Sequence, residues 1–101
     1  MKNLLTTVAL ALFASTTSYA QCTTKGGYYA AISKDYLEKL ISYSVDDDTQ
    51  AINKLLDAGV VFSLKAGVIV YLEDTSWGKA EIRPKGMTQT VWTVTEAVNC
   101  R

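Results

Sequence analysis

Histidine is absent from the 101 residues, there is one proline, and neither sign of charge prevails: ten Lys and Arg stand against ten Asp and Glu. Without imidazole a Ser-His-Asp or Cys-His nucleophile pair cannot be assembled, nor a zinc site that relies on it. A balanced charge offers no basic surface for a polyanion, so a nucleic-acid partner is not expected. The length is that of one domain, and the chain has no internal repeat and no low-complexity tract.

What is present begins with a pattern for export. Lys2 is followed by an apolar stretch from Leu4 to Ala14, broken by Thr6 and Thr7, and then by small and polar residues up to Ala20. Ser18 and Ala20 are the small residues a signal peptidase accepts, so cleavage is expected after residue 20. The continuous apolar run from Val8 to Ala14 is far shorter than the roughly 20 residues of a membrane span. No span is therefore expected after cleavage, and the destination is the periplasm or the medium. Cys22 lies close to that cleavage point, but Tyr19-Ala20-Gln21 is a poor lipid-attachment signal. The remaining residues, 21–101, form one exported domain with a formal net charge of −1, because Lys2 is the only charge removed.

Cys22 and Cys100 sit near the two ends of this domain. In an oxidising compartment they are expected to form a disulfide, since they lack the CxxC spacing of a redox pair. Between them, Gln21 to Tyr29 reads as a flexible opening segment. Ser33 is a helix N-cap signal, and Tyr36, Leu37, Leu40, Ile41 and Tyr43 form an apolar stripe. Asp46-Asp47-Asp48 opens a second helix through Ile52, Leu55 and Leu56, which stops at Gly59. Past Gly59 the period changes from 3.6 to 2. Strands are expected at Val60 to Leu64, Val68 to Glu73, Lys79 to Arg83 and Thr90 to Val94, with turns at Asp74 to Gly78 and Pro84 to Gly86. The expected fold is α+β: an N-terminal pair of short helices over 33–58, then a small antiparallel barrel over 59–98, with the termini joined by the disulfide.

Leu64-Lys65-Ala66-Gly67-Val68, Trp77-Gly78-Lys79-Ala80-Glu81-Ile82-Arg83, Gly86 and Trp92-Thr93-Val94 together resemble the bacterial SH3-like domain over roughly residues 60–98. That family has a glycine turn before a strand, a Trp opening a strand that ends in a basic residue, a second glycine turn, and a Gly-Trp-Val-like strand. Val91 stands where the family has Gly, and the loop 87–90 and the helix pair have no counterpart in it. The resemblance implies an SH3-like barrel used as a binding module for cell-wall or peptide ligands, and not a catalyst.

Candidate chemistry is sparse. Asp46, Asp48, Gln50 and Asp57 can be laid on a calcium loop, but Ala51 occupies the position that needs Gly, and helix capping explains the acids better; no metal or cofactor is expected. Glu73, Asp74 and Glu81 are the carboxylates an enzyme would draw on, yet nothing in their spacing sets them apart from solvated residues. The better signal is aromatic. Trp77, in a turn, and Tyr71 could present flat rings to a sugar or an extended peptide, with Lys79 and Arg83 as basic neighbours; Tyr28 and Tyr29 are further surface aromatics. Trp92, in phase with Thr90 and Val94, reads as core. The function expected is a non-catalytic binding protein with a protein partner, as an inhibitor or immunity factor, the alternative being a peptidoglycan- or peptide-binding module.

Overall fold

The computed structural model describes residues 20–100. The expected signal peptide, 1–20, lies outside them except for Ala20, which opens the first strand. Seven strands, β1 (Ala20–Thr24), β2 (Tyr29–Ala31), β3 (Val61–Ser63), β4 (Ile69–Ser76), β5 (Lys79–Pro84), β6 (Val91–Val94) and β7 (Val98–Cys100), form one antiparallel sheet. Two helices, α1 (Lys34–Val45) and α2 (Thr49–Asp57), lie between β2 and β3, and a short 3-10 turn at Thr95–Ala97 precedes β7.

Both helices start and stop for local reasons. The Ser33 hydroxyl accepts the Tyr36 N–H at α1, and the Asp48 carboxylate accepts the Ala51 N–H at α2; each cap stabilises its helix by about 1 kcal/mol. Gly59 ends α2 at φ +75°, with its N–H bonded to Leu56 O and that of Val60 bonded to Leu55 O, which satisfies carbonyls the helix leaves free. Asp46 and Asp48 thus serve the helix junction: Asp46 caps the end of α1 and Asp48 begins α2.

The sheet order is β3-β2-β6-β5-β4-β1-β7. Two expectations are corrected by it. The helices are not N-terminal: β1 and β2 precede them, and the pair is an insertion between adjacent antiparallel strands, with Ala31 opposite Val61 in the register. Nor is the sheet a closed barrel, for among the described residues no ladder joins β3 to β7. Of the segment read as flexible, residues 21–24 belong to β1, held between β4 and β7 with Cys22 opposite both Val70 and Cys100. Its alternation places Cys22 and Thr24 inside and Gln21 and Thr23 outside. That period of 2 was hidden by polar residues, because inward Thr24 is satisfied by two loop contacts, accepting the Val68 N–H at 2.9 Å and donating to Lys65 O.

Alternation divides the apolar residues between two faces. Cys22, Val70, Ala80 and Ile82 form one buried cluster with Leu72, Val91 and Val98 against it. Ala31, Leu37, Leu40 and Val61 form another on the helix side, joined by Trp92, Ile52 and Leu55. Trp92 is half-buried against this second cluster on the helix-bearing face, with Lys34 Nζ 5.7 Å from its ring centre. The Cys22–Cys100 disulfide is present and closes a separation of 78 residues. In the chain-entropy model such a loop is worth about 4.5 kcal/mol. Among the described residues no helix is long and apolar enough to cross a membrane.

Candidate binding surface

β4 and β5 form the longest hairpin, closed by Ser76 opposite Lys79, so the turn is the two residues Trp77 and Gly78. The strand therefore runs through Asp74–Ser76, where a turn was expected, aided by an irregularity between Leu72 and Asp74 that absorbs Glu73. Trp77 has φ 51° and Gly78 φ 77°. Positive φ at both central residues fits the right-handed twist of a hairpin, but the first position normally takes Asn, Asp or Gly. A tryptophan in that conformation costs about 1–3 kcal/mol. It is also 94 % exposed, the most exposed of the large apolar residues described.

The tip is braced from α1 and from the 3-10 turn. Lys34 Nζ donates to Ser76 Oγ at 3.1 Å, Lys79 Nζ stands 3.4 Å from Glu38 Oε2, and the Thr95 N–H bonds to Gly78 O at 2.9 Å. An exposed indole is thus held on a braced turn, at a position whose positive φ favours Asn, Asp or Gly.

Of the other expected contacts, Lys79 flanks the turn, but Tyr71 and Arg83 are not beside it. Tyr71 lies in the middle of β4, opposite Arg83, whose guanidinium carbon is 4.9 Å from the tyrosine ring centre. Arg83 Nε also bonds Glu73 Oε2 at 2.9 Å, and its Nη1 donates to Met87 O at 3.2 Å. Arg83 is thereby committed to Tyr71, Glu73 and the 84–90 loop, and Lys79 to Glu38. Trp77 and Tyr71 therefore form no shared groove; the tip stands alone. Of the three carboxylates an enzyme would draw on, Glu73 pairs with Arg83, Asp74 accepts the Thr75 N–H, and Glu81 accepts the Thr90 hydroxyl at 2.6 Å. The described residues hold no cluster of three or more acids, Cys or His fit for a metal.

Tyr28 and Tyr29 line an apolar groove of about 370 Å³ against Leu37, Leu40, Ile41 and Val45 of α1. Val45 is 78 % exposed at its rim. The sequence hinted at this groove only through the two tyrosines, because which residues face α1 depends on β2 pairing with β6 and β3. The helices rest mainly on β2, β3 and β6, which leaves the outer face of β4 and β5 with Tyr71 and Arg83 beyond them.

Comparison with family models, with curated proteins and with solved structures finds no match to this chain. The SH3-like resemblance accordingly rests on the quoted residues alone.

Proposed function

We propose that the chain is an exported, non-catalytic binding protein that engages a protein partner through the Trp77 hairpin tip, in an inhibitor- or immunity-type role. The observation that carries this is the strained and fully presented indole at Trp77. Strained backbone persists where function requires it, and an exposed Trp is the residue type that anchors interfaces by filling a pocket on the partner. The Cys22–Cys100 bridge and the signal-like N-terminus support export. A cell-wall glycan is the second reading, favoured by the same exposed ring, which offers a flat face to a sugar.

The test uses the mature, disulfide-bonded protein. A photo-crosslinker at exposed Thr75 is expected to capture a discrete exported protein, and the adduct is expected to vanish when Trp77→Ala is added. Co-sedimentation with peptidoglycan sacculi that Trp77→Ala abolishes would instead establish the glycan. An adduct that survives Trp77→Ala, with no pelleting, would remove the tip from the proposal.

A further inference from the structure

The end of the sheet opposite the Trp77 tip, about 25 Å away along the eight residues of β4, holds a second feature. The inner face opens there into a groove of about 290 Å³. Its floor is Val70 and Ile82, which belong to the buried cluster of the sheet; Phe62 and Val91 form its walls, and Met87 and Lys65 line its mouth. That volume is at the lower end of the roughly 300–1,000 Å³ of small-molecule pockets, and its lining is almost wholly apolar. Phe62, Val68 and Met87 stay exposed around it, and Met87 is a flexible side chain that adapts to what it covers.

The loops around this mouth carry charge of one sign. The three loops at this end, 25–28, 64–68 and 84–90, carry Lys25, Lys65 and Lys85 and no Asp or Glu. They converge here: a side chain added at Gly26 would meet Ala66 at 3.5 Å, and the Lys85 N–H bonds to Ile69 O. None of the three lysines makes a salt bridge among the described residues. Lys25 lies near Glu96, on the far side of β1, whereas Lys65 and Lys85 have no such neighbour in these loops. Arg83, bonded to Met87 O, fixes the backbone of the rim from the opposite face of the sheet.

An apolar groove lined by Lys65, among loops whose only charged residues are lysines, matches a short hydrocarbon chain with an anionic head. We infer that this groove is a binding site for a medium-chain fatty acid, the chain lying against the exposed Phe62, Val68 and Met87 and the carboxylate facing Lys65. The site is separate from the Trp77 tip and does not rest on the role proposed for it.

Titration of the ¹⁵N-labelled, disulfide-bonded protein with octanoate, followed by amide chemical shifts, tests the site. Saturable shifts at Lys65, Val68 and Met87 are expected, unchanged by Trp77→Ala. Lys65→Glu is expected to weaken octanoate roughly two- to fivefold through loss of one exposed charge contact. This lysine is on a surface loop, and an otherwise superimposable spectrum would show that the variant folds. Octanol, which has the chain without the charge, is expected to bind more weakly than octanoate. The proposal fails if octanoate gives no saturable shift, if the shifts fall on the groove under α1, if octanol binds as tightly, or if the lysine variant binds octanoate unchanged.

Discussion

The two buried clusters are built from different distances along the chain. The helix-side cluster takes its buried residues from 31 to 61, a continuous stretch with its own caps, and only Trp92 joins it from further along the chain. The sheet cluster draws on Cys22, Val70, Ala80 and Ile82, with Val98 against it, and needs both ends of the domain in place. Local contacts close short loops at small entropic cost, while non-local ones require the chain to meet itself across most of its length. The disulfide lies in the non-local cluster, where a covalent closure removes the most unfolded-chain entropy.

The sharpest way to break this contrast is to remove the staple. Replacing Cys22 and Cys100 with Ser together is expected to cost about 4 kcal/mol, read as a large drop in urea midpoint, and to raise amide exchange in β1 and β7 more than in α1. Equal loss of protection in α1 would show that the two clusters unfold as one unit. Next comes Leu37→Ala, which leaves a cavity between α1 and the sheet and is expected to cost about 2–4 kcal/mol. Combined with Ile82→Ala it tests independence: additive losses mark separate clusters, and a coupling above about 0.5 kcal/mol marks one.

A smaller effect of opposite sign is expected at the hairpin. Trp77→Asn places a residue suited to positive φ at the turn and is expected to raise stability by about 1 kcal/mol while removing partner capture. A stability loss would mean that the indole packs in solution. The smallest effect belongs to Glu96, whose carboxyl is held below its usual range by the Thr95 hydroxyl, then by a backbone N–H, and weakly by Lys25. A lowered folded value means that its contribution is present above the ordinary value of 4.5 and disappears as pH falls through the folded one. Urea midpoints of the protein and of Glu96→Gln should therefore differ slightly at neutral pH and converge in acid.

The legible parts of the molecule are those with local causes. Ser33, Asp48 and Gly59 mark the helix boundaries within a residue or two, and the stripe through Leu37 and Leu40 does face the core. The cysteine pairing followed from position and the expected compartment alone. The strands β1, β2 and β7 were not legible, since each has five residues or fewer and takes its pattern from partners elsewhere: Cys22 from Val70, Ala30 from Thr93, Val98 from Thr24. Trp77 was legible as a turn aromatic, but its companions were not. Tyr71 and Arg83 share a sheet face with one another and not with the tip, a fact set by register.

The sequence by itself determined the two helices, the hairpin from β4 to β5 and the bridge between the ends, because each depends on neighbouring residues or on a pairing with no alternative. Only the tertiary structure decided that the helices interrupt the sheet, that the sheet stays open, and that an apolar groove lined by Lys65 lies at the end away from Trp77. Those features depend on which strands meet, and strand pairing joins residues that the chain holds up to 78 positions apart.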